Sequence, residues 1–123
     1  MYKDEHIKGN IKMNEEKIEY EYYTVDFAGV NSRYTMYEKI KEGLDFPDYF
    51  GANLSAIWDC LTDMIYHGVV ITLDNFDLME KYDEKMSAKL LDIFARSKHF
   101  GIDCYYDTYK IYVVRNGKKT ELL

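Results

Sequence analysis
The chain has no Lys and no Arg from Gly43 to Glu80, a stretch that carries seven carboxylates: Asp45, Asp48, Asp59, Asp63, Asp74, Asp77 and Glu80. Elsewhere 15 acids face 16 bases, so the formal net charge of −6 is local. An acidic chain of this kind repels nucleic acid, and no nucleic-acid partner is expected. Long apolar runs are also missing. None approaches a membrane span, and Met1–Lys8 has no signal-peptide core. No membrane association and a cytoplasmic location are therefore expected. Cysteine occurs only as Cys60 and Cys104. Each neighbours apolar residues, so both read as reduced, buried thiols, with one disulfide between them as the alternative. His6, His67 and His99 fall at no nucleophile or metal spacing, and Gly51 stands alone rather than in a phosphate-binding loop. Catalysis and a cofactor are not expected.

What the chain does contain is a core. Hydrophobic content of 47%, with 16% aromatics, excludes a mainly disordered chain, and 123 residues suffice for one domain. Residues 1–16 are polar and read as an N-terminal arm, leaving 17–123 as a single domain. Ile18–Phe27 reads as a strand ended by Gly29. Asn31 or Ser32 caps a helix whose stripe is Tyr34, Tyr37, Ile40 and Leu44, and Gly43 ends it. Pro47 opens a loop. Asn53 caps a second helix with Leu54, Ile57, Trp58, Leu61, Met64 and Ile65 on its buried face, and Gly68 breaks it. Val69–Leu73 is apolar enough for a strand covered by helices. A short helical or irregular piece runs to Tyr82. Asp83 or Ser87 then caps a longer helix carrying Met86, Leu90, Leu91, Phe94 and Lys98. Ile102–Tyr106 reads as a third strand and Lys110–Arg115 as a fourth, pairing antiparallel with it. Asn116-Gly117 is a turn signal, followed by a short polar tail. The order predicts an α/β fold: a parallel three-stranded sheet with helices at 33–43, 53–65 and 84–99 packed on it, plus an extra C-terminal antiparallel strand.

On the second helix, spacings of four place Ser55, Asp59 and Asp63 on one outward face. Asp59 and Asp63 repel each other at this spacing and oppose the helix dipole. No Lys or Arg at neighbouring helical positions offsets either one. A solvated face is the ordinary reading of such a helix. The missing counter-charges and the adjoining Tyr49-Phe50-Gly51 loop favour an interface, where exposed aromatics beside carboxylates serve as anchors. Most of the Trp58 ring is expected to be buried.

The run Pro47-Asp-Tyr-Phe-Gly-Ala-Asn-Leu-Ser-Ala-Ile-Trp-Asp-Cys-Leu-Thr62 resembles the signature of the barstar family, small intracellular inhibitors of barnase-type ribonucleases. The resemblance runs from near Val25 through 102–106. It implies a barstar-like fold and inhibition by mimicry, in which the acidic helix and its preceding loop plug a ribonuclease active site. Asp59 falls on the position that occupies the phosphate pocket, and Tyr49 on the loop aromatic that packs against the catalytic histidine. Gly51, Asn53 and Thr62 match other contact positions, and Trp58 lies within the motif. The chain departs from the type member at Ser55 and Arg96, where that protein carries acids, and Asp63 is an additional acid. The resemblance thus implies a basic toxin or extracellular-type ribonuclease as partner, an antitoxin-like role, and a monomer when free. Two alternatives stand beside it: a non-inhibitory binding module of the same fold, and a metal-dependent enzyme using Asp59 and Asp63.

Overall fold
The computed structural model describes residues 19–66, 68–100 and 107–123. Its elements are β1 (Glu21–Asp26), α1 (Arg33–Leu44), α2 (Leu54–Asp63), β2 (Val69–Asp74), α3 (Phe76–Tyr82), α4 (Glu84–Ser97), β3 (Tyr109–Arg115) and β4 (Lys118–Leu122). The strands form one sheet in the order β1-β2-β3-β4. The first three are parallel and β4 is antiparallel to β3. The expected α/β architecture, with three parallel strands and an antiparallel addition, is therefore present.

Two assignments within it change. The third parallel strand is Tyr109–Arg115, in register with β2 from Val69↔Tyr109 to Leu73↔Val113. Its antiparallel partner is β4, while the expected partner 102–106 lies outside the described residues. The alternation decides this: Tyr109, Ile111 and Val113 all turn into the core. The supposed tail is strand β4. Asn116 (φ 51°) and Gly117 (φ 77°) both adopt left-handed backbone, the geometry of a tight hairpin turn. The expected N-terminal arm also lies outside the described residues.

The helices start where their caps predict. Ser32 accepts from the Thr35 amide, Asn53 from Ala56 and Asp83 from Met86. Helix α1 buries Met36, Ile40 and Leu44, while Tyr34 is 72% exposed and leaves the expected stripe. Nor does Gly43 end α1; the left-handed residue there is Asp45 (φ 54°). Gly43 is instead a contact point. A Cβ on it would lie 2.5 Å from the Thr24 carbonyl oxygen and 2.8 Å from the Val25 Cα. Glycine lets α1 sit directly on β1.

Helix residues Ile57, Leu61, Phe76, Met79, Leu90 and Phe94 join one core with the sheet residues Val25, Ile71, Leu73, Ile111 and Val113. All these sheet residues share one face, so the described helices form a single layer. Strand β2 is covered by helices, as expected, on this face. Val70, on the other face, lines a shallow groove with Tyr20, Tyr22, Thr72, Lys110, Tyr112 and Lys119. Among the described residues, large neighbours shield it and no helix does.

Candidate functional site
Helix α2 has two sides because its apolar residues fall at helical spacing. Ile57 and Leu61 are fully buried, and this anchors the helix against the sheet. Ser55, Asp59 and Asp63 are exposed on the outer side. No side-chain hydrogen bond or ion pair reaches Asp59 or Asp63 from the described residues. Each faces solvent, and a carboxylate with both oxygens open can accept a paired hydrogen bond from a guanidinium.

Asp59 forms part of one wall of an open groove of about 640 Å³ between α2 and α4. Leu54, Ser55 and Trp58 share that wall, and Ala88, Lys89, Asp92, Ile93 and Arg96 form the other. The groove brings four of the expected residues together: Ser55, Trp58, Asp59 and Arg96. Trp58 is partly buried, in keeping with the expectation that most of its ring is covered. Its ring packs edge-on against Phe100, with centres 5.4 Å apart, and the Arg96 guanidinium lies 5.2 Å from the ring centre. Arg96 Nε donates to Asp92 Oδ2 at 3.0 Å. Arg96 is thus held over the tryptophan from two sides. The cations absent from α2 itself are supplied to its groove by α4, although neither pairs with Asp59.

Tyr49 and Asp63 lie elsewhere, at a small hollow of about 190 Å³ between the loop and the end of α2. Tyr49 is 81% exposed. Its neighbour Phe50 turns inward, 5.2 Å from Phe46 and 6.3 Å from Tyr37 between ring centres, so one aromatic of the pair holds the loop while the other projects. Cys60 borders the same hollow and is a free thiol, half-buried rather than buried. Partial burial, with Asp63 and Asp59 nearby, raises its pKa and keeps it protonated. Cys104 lies outside the described residues.

Two expected residues act on the backbone through their side chains. Asn53 Oδ1 accepts from the Ala56 amide at 2.8 Å, and its Nδ2 donates to the Gly51 carbonyl at 3.3 Å. Asn53 thereby caps α2 and ties down the loop. Thr62 donates its hydroxyl to the carbonyls of Trp58 and Asp59. Gly51 needs no glycine for the fold: a Cβ there would meet nothing closer than 3.4 Å. The strained residue of the loop is Ala52, with a φ of 53°. Sequence reasoning missed Ala52, Lys89, Asp92 and Phe100. Only Asp92 left a readable trace, four residues before Arg96. Asp59 and Asp63 are not part of any metal-holding group of three His, Cys, Asp or Glu among the described residues.

The acidic stretch is not one surface. Glu80 is paired with Arg115 at 2.9 Å, and the Asp77 carboxylate accepts from the Asn116 amide. Asp48 lies 3.6 Å from Lys41. Among the described helices, none is long and apolar enough to cross a membrane.

The family model "Barstar (barnase inhibitor)" matches residues 20–108, which hold α2, its loop and the groove. A protein of Bacillus subtilis (strain 168) named "Putative ribonuclease inhibitor YrdF" is 32% identical over 73 residues, covering 59% of this chain and 77% of that protein.

Proposed function
That this chain belongs to the barstar family is the premise from which we propose its function: it binds a barnase-type ribonuclease and blocks the active site with α2 and the Tyr49 loop. Family membership and the inhibitor-named relative support a ribonuclease-inhibitor role. The observation that carries the finer reading is Asp59. It is an exposed carboxylate with no neutralising partner among the described residues, on a helix anchored in the core, in the wall of a groove that also holds Leu54, Trp58 and Ile93. In this reading Asp59 takes the place of a substrate phosphate in the cationic pocket of the enzyme. Tyr49 packs beside it. Trp58 and Ser55 line the groove, and Asp63 adds a second negative charge at the neighbouring hollow. Gly51 leaves the partner room to approach the backbone. Asn53 and Thr62 hold the geometry. Arg96, pinned by Asp92 and Trp58, is a cation on the same surface, so the partner surface opposite it differs from one that meets an acid there. The role is that of an antitoxin acting in the cytoplasm.

The test is a titration of RNA cleavage by the ribonuclease encoded beside this chain, with barnase as a reference enzyme. The parent chain is expected to abolish cleavage by the neighbouring enzyme at a one-to-one ratio. Asp59→Ala is expected to weaken binding by about 2–5 kcal/mol, mainly through faster dissociation; the magnitude is known from charged interface pairs that include this family's type complex. Undiminished cleavage in the presence of the parent chain sinks the proposal.

A further inference from the structure
The sheet face turned away from the helices is a second surface. Among the described residues no helix packs on it. Three rows of side chains cross it from β1 to β4. Strand register aligns Tyr22, Val70 and Lys110 in the first row. Thr24, Thr72, Tyr112 and Glu121 form the second. Asp26 and Asp74 form one end of the third, and Val114 and Lys119 the other. Leu123 follows the last residue of β4 and extends the first row. Two of the most exposed large hydrophobics of the chain sit at its ends, Tyr22 at 74% and Leu123 at 68%. The tyrosines are ordered: Tyr20 and Tyr22 lie 6.4 Å apart, and the Lys119 ammonium stands 4.5 Å over the Tyr112 ring. A solvated face has no need of such an arrangement.

The layout is self-complementary. A twofold axis lying in the face and running along the strands places β1 over β4 of a second copy, and β2 over β3. Tyr22 then meets Leu123, and Val70 meets the aliphatic stem of Lys110. Thr72 meets Tyr112, and Thr24 meets Glu121. At the far end Asp26 meets Lys119. Asp26 has no ion pair within the described residues; it accepts only from the Ala28 amide and the Asn75 side chain. No two like charges oppose each other in this arrangement. From this match we infer that the open sheet face is a homodimer interface, the partner being a second copy of this chain. The dimer departs from the monomer expected from the family resemblance. It leaves α2, the Tyr49 loop and the groove free, since these lie on the other layer. Four strands about 4.8 Å apart and about 20 Å long offer roughly 400 Å² of projected face. A standard interface needs about 800 Å² per partner, so the dimer is weak and depends on concentration.

The experiment is sedimentation equilibrium of the full chain from about 10 μM to about 1 mM, a range that brackets weak association. The parent is expected to shift from monomer towards dimer. Lys119→Glu is expected to raise the dissociation constant roughly five- to tenfold, because the axis repeats the ion pair. Adding Asp26→Lys to it reverses both charges and is expected to restore the parent value. Tyr22→Ser is expected to abolish association, and it carries the test if the double variant fails to fold by circular dichroism. A parent that stays monomeric throughout overturns the inference, including when the face then binds a single-stranded RNA oligomer or proves to be covered by residues 1–18. A dimer unaffected by both Lys119→Glu and Tyr22→Ser overturns it as well.

Discussion
Under the proposed function, Asp59 is a residue that is costly for the fold and useful on the surface. It sits inside α2 four residues before Asp63, and the two repel at a cost of a few tenths of a kcal/mol. Neither gains an ion pair from the described residues in return. Asp59→Ala should therefore leave the melting temperature unchanged or slightly higher while binding falls. Paired thermal melts and inhibition titrations would show this. A variant that loses stability and binding together would mark Asp59 as a structural residue. Trp58 and Arg96 follow a different rule. Each is held by the other and by a neighbour, Phe100 for the tryptophan and Asp92 for the arginine. Their positions are fixed before any partner arrives, which lowers the ordering cost of binding.

At the scale of the element, α1 and α4 carry the clearest expectations. Gly43→Ala puts a methyl group 2.5 Å from the Thr24 carbonyl oxygen, on backbone that cannot rotate away. Helix α1 must shift off β1, and a loss of about 1–3 kcal/mol is expected by denaturant unfolding. A parent-like stability would mean that α1 slides without cost. Helix α4 is tied to its neighbour through Asp83. The Met86 amide bond and the pairing with Arg33 hold the Asp83 carboxyl below its ordinary pKa. For an acid depressed in the folded state, the unfolded chain binds the proton first. The stability contributed is therefore complete above a pH of about 4 and is lost as pH falls through and below that value. Asp83→Asn keeps a capping oxygen but cannot titrate. Thermal melts of this variant between neutral pH and about pH 3 should show a flatter acid limb than the parent.

For the molecule as a whole, charge is divided between its layers. Asp59 and Asp63 lie on the helical layer, and Asp45 and Asp48 lie in the adjoining loop. Glu80 is neutralised by Arg115. A basic partner of the kind proposed would be steered toward the loop and α2 rather than to the acidic stretch at large. Raising ionic strength from about 0.01 to 0.15 M shortens the screening length from about 30 to 8 Å. The association rate with the ribonuclease should then fall by about tenfold or more, with a much smaller change in dissociation. Stopped-flow mixing would read both, and a rate indifferent to salt would remove steering from the account.

Some of this was legible in the chain because it depends on neighbours in sequence. The N-caps at Ser32, Asn53 and Asp83, the spacing of Ile57 and Leu61, and the exposure of Ser55, Asp59 and Asp63 all follow from local hydrogen bonding and helical periodicity. The sixteen-residue run from Pro47 to Thr62 carried the family. What the sequence could not decide involves groups far apart in the chain. Two apolar runs, 102–106 and 109–115, competed for the third parallel strand, and only pairing with β2 selects Tyr109–Arg115. Gly43 looked like a helix stop because its collision partner is a strand some twenty residues earlier. Val69–Leu73 looked covered by helices along its whole length, since shielding by tyrosines and by a helix leave the same apolar pattern. The groove that joins Trp58 and Asp59 to Arg96 exists only because α2 and α4 pack side by side. Long-range packing sets which surfaces meet, and a one-dimensional pattern records only which faces are apolar.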